Sequence, residues 1–563
     1  MNFIDILQIF LFLGSIVVLT PLLGKYMYLV YTNQQTWLNK LFQPIEKGTY
    51  RLLRINPETE MTALQYIVSV IWLSVVGIFS LVALQLVQTF LPFSQTSVNT
   101  PNFDLAVNTA VSFITNTNWQ AYSGESTFHN FVQMAGFGVQ NFISAAIGMS
   151  VLVALIRGIV SKETTTIGNF WVDCTKTILY ILVPLSVLLS VALVSQGVVQ
   201  TFDANQTITT VEGIQQTIPM GPVASQIAIK QLGTNGGGFF GVNSSHPFEN
   251  PTPFSNFLQL ISILLIPAAL TYTYGKMVNN TKQGWVLFST MFLVLVIGIG
   301  FSLWSEYSTV PMQGISQNLE GKEVRFGITN SILWSVSTTA ASNGSVNAMH
   351  SSLTPVSGLI TVSNILLGEI IFGGVGSGMY GMILFVIIAV FISGLMVGRT
   401  PEYLGKKIQI FEVKMAIFAI VIPSVIILAG TALSTVTTAG LSSTLHKGPH
   451  GLSEILYAFA SAGGNNGSAF AGLNANTPYY NYTLSIAMVI GRYGVIIPIL
   501  FIAGSLAKKK ITPESTGTLP TDTVFFCMFL LGTILIIGAL TFFPVLLLGP
   551  IAEHLSFINN QIF

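Results

Sequence analysis

Ten long apolar segments constrain this chain more than any other feature of its sequence. A membrane-spanning helix needs about 20 predominantly apolar residues. The chain has 563 residues, of which 51% are hydrophobic and only 8% are charged, whereas soluble domains carry roughly 25% charged residues. We therefore predict an all-α polytopic membrane protein whose ten transmembrane helices lie in a lipid bilayer. The predicted spans are Phe3–Leu23, Leu64–Leu86, Phe131–Ile156, Thr177–Val194, Phe257–Tyr274, Trp285–Leu303, Met382–Val397, Ala416–Ala432, Thr483–Ala503 and Thr523–Leu548.

Basic residues predict how the spans are oriented. Of the 22 lysines and arginines, 17 fall on one side of an alternating ten-span arrangement, four fall on the other side, and Arg492 lies within a span. Cytoplasmic loops carry such an excess. No basic residue precedes the first span, and Lys25 follows it. We therefore predict a retained span rather than a signal peptide, with both termini outside. The net charge of +1 gives no basis for nucleic-acid binding.

A short motif recurs four times, each time between two long apolar segments. Setting Asn466 against Asn343, Asn235 and Asn116 gives spacings of 123, 108 and 119 residues. Such even spacing indicates one structural unit that is used repeatedly. In this alignment Thr117 of the first copy stands where the other copies have glycine. The predicted loop residues are Thr115, Asn116, Thr117, Asn118, Gln120, Thr234, Asn235, Gly236, Gly237, Ser342, Asn343, Gly344, Ser345, Asn465, Asn466, Gly467 and Ser468.

The motif copies divide the chain into four repeats of a span, a short helix, a pore loop and a second span. Apolar or small residues before each loop predict half-helices over 105–114, 223–232, 328–341 and 453–462. We expect the four loops to surround one central filter with potassium-channel-like pseudo-fourfold symmetry. The predicted units are residues 1–62 (first span and cytoplasmic loop), the repeats 63–157, 172–280, 284–398 and 415–507, and residues 508–563 (last span and C-terminus).

The composition of these loops indicates what they bind. Irregular backbone at membrane depth is tolerated where it lines a cavity or is buried in protein, and rings of carbonyl oxygens replace the hydration shell of a cation. Glycine, and next asparagine, tolerates the backbone dihedrals that aim successive carbonyls inward. The four loops contain no Asp or Glu, although a filter for divalent cations normally carries carboxylates. The sequence therefore predicts a site for a monovalent cation.

Two charged residues lie at membrane depth in the sequence pattern. Glu369 precedes the glycine-rich stretch 373–381, which is too rich in glycine for an uninterrupted helix, and Arg492 lies within the ninth span. Intramembrane ionisable residues mark pathways or pair with each other. Glu369 and Arg492 are therefore candidates for lining an ion pathway. The alternative is a structural Glu369–Arg492 pair that braces the third and fourth repeats.

The motifs resemble a known family over the whole chain. Residues 233–240 (GTNGGGFF), 115–120 (TNTNWQ), 342–345 (SNGS) and 464–472 (GNNGSAFAG) look like the potassium-binding subunit, KdpA, of the bacterial Kdp potassium-pumping ATPase. This family is related to the Trk, Ktr and HKT potassium transporters, whose single chains fold four such repeats around one filter. The resemblance implies potassium as substrate, ATP-driven uptake at the bacterial plasma membrane, and an intramembrane tunnel toward the ATPase subunit. It makes Glu369 and Arg492 candidates for the gate or tunnel, with Arg399 a further candidate at the cytoplasmic end.

The source of energy must then be a partner. The chain has no Gly-x-x-x-x-Gly-Lys-Ser/Thr loop and no Asp-Lys-Thr-Gly-Thr segment, so we expect no ATP hydrolysis by this chain and no bound cofactor. The resemblance implies a KdpB-like P-type ATPase subunit that uses the ATP, together with small KdpC-like and KdpF-like membrane subunits. A self-sufficient Trk/Ktr-like channel or symporter remains an alternative, and a membrane scaffold is a weaker one, since scaffolding needs no aimed carbonyls.

Cysteine and histidine offer no further site in the sequence. Cys174 and Cys527 are far apart and show no metal spacing, so we expect buried free thiols. His446 and His450 have the i, i+4 spacing of a metal-binding pair, but they lie in a stretch with glycine and proline. That composition favours a solvated loop.

Overall fold

The structure is a computed structural model that describes residues 1–92, 98–308, 318–398, 400–513 and 518–559. Within these residues the helices, in chain order, are α1 Phe3–Tyr31, α2 Asn39–Leu52, α3 Ala63–Leu86, α4 Phe103–Ile114, α5 Gly124–Thr127, α6 Val139–Val160, α7 Phe170–Lys176, α8 Val183–Ser195, α9 Val223–Leu232, α10 Pro253–Met277, α11 Thr281–Tyr307, α12 Gly327–Ala340, α13 Pro355–Leu366, α14 Ser377–Val397, α15 Ile410–Val436, α16 Thr438–Leu441, α17 Gly448–Gly464, α18 Pro478–Ala507, α19 Val524–Leu546 and α20 Ala552–Ile558.

Ten helical segments of the described chain are long and apolar enough to cross a membrane, which confirms the predicted number. Seven of them lie in α1, α3, α10, α11, α14, α15 and α18. Three are composite, because wider π-type turns over Val132–Gly138, Thr177–Leu182 and Leu547–Ile551 precede α6, join α7 to α8 and join α19 to α20, respectively. Most helices extend beyond their apolar stretch to a polar cap, such as Thr62 before α3, so sequence hydropathy located the spans but not their ends.

Short helices precede the four loops, as predicted. They are α4, α9, α12 and α17, which we call the pore helices. Nearly every residue of α9 and α12 is buried, as expected for helices enclosed by the surrounding spans. The last pore helix is longer than predicted, because it begins at Gly448 rather than Ser453. His450 therefore lies in its first turn, so the prediction of a solvated loop is wrong for this residue.

The third repeat departs from the others in its second span. After the loop, α13 ends at Leu366 and α14 begins at Ser377. We call the connection, residues 367–376, the intramembrane loop; residues 369–376 of it are buried. Glu369 and Phe372 have φ of 51° and 65°, which helices of L-residues do not accommodate. The predicted helix break is thus confirmed.

Two antiparallel hairpins interrupt the otherwise helical fold. Strand β1 (Gln206–Thr209) pairs with β2 (Gln215–Ile218) in the connection before α9, and β3 (Glu402–Tyr403) pairs with β4 (Lys406–Lys407) after α14. Cys174 and Cys527 are buried, free thiols in α7 and α19, as the sequence predicted.

Candidate functional site

Backbone hydrogen bonds fix how the four motif copies correspond. One residue in each loop donates its N–H to the carbonyl five positions earlier, at the end of the pore helix. These bonds run from Thr117 to Ser112 (2.9 Å), Asn235 to Lys230 (2.9 Å), Asn343 to Thr338 (3.1 Å) and Asn466 to Ser461 (2.8 Å). The alignment of Asn116 with the other three asparagines is therefore wrong by one position, and Thr117 is the counterpart of Asn235, Asn343 and Asn466.

The backbone dihedrals give the same correspondence. The residue after the central one has a positive φ in every copy: 52° at Asn118, 85° at Gly236, 82° at Gly344 and 93° at Gly467. The residue before it does too, with φ of 63° at Asn116, 48° at Thr234, 50° at Ser342 and 61° at Asn465. Asn118, rather than Thr117, stands where the other copies have glycine. This is understandable, because asparagine tolerates the left-handed region better than other side chains.

Each of these glycines packs against the central carbonyl of the next copy. A Cβ on Gly236 would lie 1.6 Å from the carbonyl oxygen of Asn343, and one on Gly344 would lie 2.2 Å from that of Asn466. The second copy (234–237) therefore contacts the third (342–345), and the third contacts the fourth (465–468). No Cβ fits in either place.

The first copy (115–118) closes the ring. A Cβ on Gly467 would lie 1.8 Å from the carbonyl oxygen of Thr117, and the side chain of Asn465 donates to Thr117 Oγ1 (3.0 Å). On its other side, Asn116 Nδ2 donates to the carbonyl of Thr234 (2.9 Å). The four loops thus follow one another around a closed ring in the order of the sequence.

In the third and fourth copies the central asparagines brace the backbone. Asn343 Oδ1 accepts from the N–H of Ser345, and Asn466 Oδ1 accepts from that of Ser468, both at 3.0 Å. Each Nδ2 also donates to a carbonyl near the end of the previous copy's pore helix, which is that of Lys230 for Asn343 (3.2 Å) and that of Thr338 for Asn466 (3.1 Å). These amides are therefore engaged in holding the loop.

The first and second copies are braced differently. Asn235 Nδ2 donates to Asn116 Oδ1 (2.6 Å), and Asn118 Nδ2 donates to Asn141 Oδ1 on α6 (2.8 Å). The amide of Gln120 both donates to and accepts from the backbone of Gly238, at 2.9 Å in each direction. The ring is accordingly built from four related but unequal loops.

Aromatic residues of the pore helices support the third and fourth loops, and the sequence reading missed them. Trp334 Nε1 donates to the carbonyl of Ser345 (2.9 Å), and the Tyr457 hydroxyl bonds Ser468 Oγ (2.8 Å). Trp334 and Tyr457 each precede the central asparagine by nine residues, so the repeat alignment contained a signal for them. Tyr457 in turn contacts His350 Nδ1 (2.8 Å).

With this geometry established, comparison with known proteins decides the family. The KdpA family model, described as potassium-transporting ATPase A subunit, matches residues 10–555. The chain belongs to this family. Similar proteins named potassium-transporting ATPase potassium-binding subunit occur in Sorangium cellulosum (52% identity over 98% of each chain) and Pseudomonas aeruginosa (50% identity over 99% of this chain and 100% of the relative).

A solved structure supports the fold of this KdpA-family chain. The potassium transporter TrkH from Vibrio parahaemolyticus is similar over 88% of this chain and 98% of its own, with a TM-score of 0.53 and 14% identity. At that identity the likeness concerns the fold alone. The predicted fold, with ten spans and pore loops between them, is thereby confirmed.

A buried ion pair lies behind the second loop. Lys230 Nζ is 2.7 Å from Glu249 Oε2, and both side chains are fully buried. Lys230 also donates to Asn243 Oδ1 (2.7 Å), while Asn243 Nδ2 donates to the carbonyl of Gly236 (2.9 Å). The ion pair is therefore connected to the ring by hydrogen bonds through the side chain of Asn243. Lys230 and Glu249 are 19 positions apart, and no sequence pattern links them.

The intramembrane loop contacts two copies of the ring. Glu369 Oε1 accepts from Asn466 Nδ2 (2.6 Å), and the N–H of Val375 donates to Thr234 Oγ1 (2.9 Å). A third contact, from the N–H of Gly373 to the carbonyl of Ala340 (3.1 Å), lies at the end of a pore helix. The loop thus lies on the side of the ring where the pore helices end.

Arg492 lies on α18, beside the intramembrane loop. Its guanidinium donates to the carbonyl of Ser144 on α6 (3.2 Å). Arg492 and Glu369 line the same cavity of about 100 Å³, but their charged groups are not within 4.0 Å and form no direct ion pair. The alternative of a structural pair that braces the third and fourth repeats stays a prediction. Arg399, the third gate candidate, lies outside the described residues.

Proposed function

We propose that this chain binds potassium ions from outside in the four-loop ring and passes them to a P-type ATPase partner for ATP-driven, high-affinity uptake. The observation that carries the proposal is the closed ring, in which the second, third and fourth copies each pack a glycine on the central carbonyl of the next, and the first copy is bonded to the second through Asn116. The relatives' names, potassium-transporting ATPase potassium-binding subunit, supply the ion and the energy source.

The loops have the chemistry of a site for a monovalent cation. They offer backbone carbonyls and no carboxylate, and carbonyl rings bind potassium by replacing its hydration shell. The pore helices end at the ring, so their partly negative C-termini favour a cation there. Because the central amides of the third and fourth copies are occupied in bracing the backbone, we assign the coordination to backbone oxygens.

The partner assignments extend the same proposal. No ATP-hydrolysis signature occurs in the chain, so a KdpB-like subunit supplies the energy, with KdpC-like and KdpF-like subunits beside it in the bacterial plasma membrane. Both termini lie outside in this arrangement. A self-sufficient Trk/Ktr-like channel is the competing function. Purified chain in potassium-loaded liposomes distinguishes the two, because a self-sufficient channel conducts without a partner, whereas the proposed subunit supports uptake only in the assembled complex with ATP.

We further propose that the ion leaves sideways below the ring. The intramembrane loop is bonded to the second and fourth copies, which are opposite one another in the ring, and therefore obstructs the axis. Arg492 adds a positive charge that repels a cation on that route. Glu369 lines the cavity that opens beside the loop, which makes it a candidate for the lateral path.

The decisive experiment replaces the ring glycines. A Cβ at a positive φ costs roughly 1–2 kcal/mol, and at Gly344 or Gly467 it would also meet a carbonyl oxygen closer than 3 Å. Gly344→Ser and Gly467→Ala should therefore raise the half-saturating potassium concentration or admit other alkali ions. Gly300→Ala on α11 is the control, since nothing lies within 4 Å of a Cβ there. Unchanged uptake and selectivity in both ring variants would refute the assignment.

A further inference from the structure

Two histidines and two glutamates form a cluster at the beginning of the fourth pore helix. One ligand atom each from His446, His450 and Glu454 lies within 4.8 Å of the others. The three residues follow at i, i+4 and i+8, and His450 and Glu454 lie on α17. The fourth residue, Glu553, comes from α20 at the other end of the chain. This cluster is separate from the ring of pore loops and from the cavity below it.

The cluster is built around a buried carboxylate. The side chain of Glu454 is fully buried; its Oε1 lies 2.7 Å from His446 Nδ1, and its Oε2 accepts from the N–H of Leu445 (3.1 Å). Gly472 lets the backbone approach closely, because a Cβ there would lie 2.0 Å from Glu454 Oε1. The carboxylate is thus held in one orientation by groups on several sides.

The second histidine joins two helices. His450 Nδ1 lies 2.8 Å from Glu553 Oε1, and both side chains are largely buried. Its ring also lies 4.6 Å from that of His446, measured between centroids. The other ring nitrogen of His450, Nε2, is buried and has no hydrogen-bond partner. One unsatisfied nitrogen therefore remains in a site that already contains two carboxylates.

The charges of the cluster are not balanced by a basic side chain. Among the described residues, Glu454 and Glu553 have ion-pair partners only in the two histidines, and neither a lysine nor an arginine lies within 4.0 Å. Burying a carboxylate is costly unless a cation compensates it. Two carboxylates with two imidazoles match a divalent metal ion in both charge and ligand number.

We propose that His446, His450 and Glu454 bind Zn²⁺ or a similar transition-metal ion, with Glu553 as a fourth ligand or as the partner that orients His450. Zinc takes four nitrogen and oxygen ligands at about 2.0–2.2 Å in a tetrahedron, which corresponds to ligand atoms about 3.4 Å apart. The three ligand atoms, which now lie within 4.8 Å of one another, would reach that spacing by side-chain rotation. Imidazole nitrogens favour zinc over calcium or magnesium, which prefer oxygen.

A metal at this site would fasten the C-terminal helix to the fourth pore helix. The chain reaches α20 through a kink at Gly549, where the backbone leaves the helical dihedrals, and Glu553 is its contact with His450. His450 also packs against Phe470, at 5.4 Å between ring centroids, just after the fourth loop. The metal would therefore stabilise the surroundings of that loop without contacting the transported ion.

The test uses the purified, assembled complex. We expect Zn²⁺ to raise the midpoint temperature of unfolding of the wild type, and EDTA to reverse the rise. His446→Gln and His450→Gln should each abolish the shift, and Glu553→Gln should weaken zinc affinity by about 10–100-fold, the usual effect of losing a supporting partner. His246→Gln is the matched control, because that histidine contacts Phe240 and Phe248 instead, and it should retain the shift.

Co²⁺ provides a readout that does not depend on stability. We expect the wild type to give the visible absorption of tetrahedral Co²⁺, displaced by Zn²⁺, and each of His446→Gln and His450→Gln to lose it. Absence of both the zinc shift and the cobalt spectrum in the wild type would overturn the proposal, as would the same zinc shift in both histidine variants. Potassium uptake with Mg²⁺ and ATP, by complex from which zinc and EDTA have both been removed, tests the ring separately, so failure of one proposal does not imply failure of the other.

Discussion

Removing the buried cation behind the second loop should both destabilise the protein and weaken potassium binding. Lys230→Met leaves Glu249 charged, fully buried and without its partner. Breaking a buried pair from one side typically costs about 3–5 kcal/mol. Lys230→Met/Glu249→Gln removes the stranded charge and keeps an acceptor for the N–H of Phe240, which Glu249 Oε1 now accepts at 2.9 Å. We expect this double variant to recover at least about 2 kcal/mol of the loss, since only neutral groups remain unsatisfied.

The effect on potassium follows from the connection to the ring. Lys230 holds Asn243, which donates to the carbonyl of Gly236. A typical hydrogen bond contributes about 1 kcal/mol net, and 1.4 kcal/mol corresponds to a tenfold change in affinity. The half-saturating potassium concentration should therefore rise about five- to tenfold in Lys230→Met. Equilibrium unfolding in mixed micelles measures the stability, and uptake by the assembled complex measures the affinity.

The chain offers a matched control for this experiment. Lys322 and Glu306 form another ion pair with fully buried side chains, at 3.2 Å, and Glu306 also accepts from the N–H of Thr354 rather than from a ring residue. Lys322→Met should destabilise the protein comparably and leave the half-saturating concentration unchanged. The prediction is wrong if Lys230→Met has the same free energy of unfolding as the wild type, or if both lysine variants change potassium affinity equally.

Three further predictions concern topology, the exit path and pH. A cysteine at position 447 should react with an impermeant reagent on intact cells and one at position 407 should not, both native side chains being exposed; the reverse pattern contradicts the orientation. Arg492→Gln should uncouple ATP hydrolysis by the complex from potassium uptake, or let potassium leak, with ion preference retained; if coupling and leak stay normal and Glu369→Gln lowers only abundance, the gate lies elsewhere. Burial lowers the pKa of His350 to about 4, whereas its ordinary pKa is about 6.5. Between these two pH values the histidine is protonated in the unfolded state but not in the folded state, so the free energy of unfolding falls as pH falls. Across that window the free energy of unfolding of His350→Gln should fall by about 3 kcal/mol less than that of the wild type. Equal falls of the two proteins, measured by thermal unfolding, would show that another group is responsible.

The sequence was sufficient for the membrane-spanning architecture because apolar length and repeated motifs depend on local composition. It was not sufficient for the register of the first loop, where Asn116 and Asn118 flank Thr117 and residue identity alone cannot show which asparagine replaces glycine. The hydrogen bond of Thr117 and the positive φ of the residues on both sides of it decide this, because the other three central residues share both features. The Lys230–Glu249 pair was also out of reach, since it depends on how the chain after the second loop folds back.

The intramembrane loop has a consequence for how the ring can move. Because Val375 and Glu369 are bonded to opposite members of the ring, the third repeat acts as a strut across the diameter. If all four loops moved outward equally, both hydrogen bonds would have to lengthen. A hinge motion that breaks only one of them would leave the other copies in place. Any opening of the pathway should therefore have twofold or lower symmetry. Four identical subunits could form such a ring of loops, but they could not form a single intramembrane loop that crosses it.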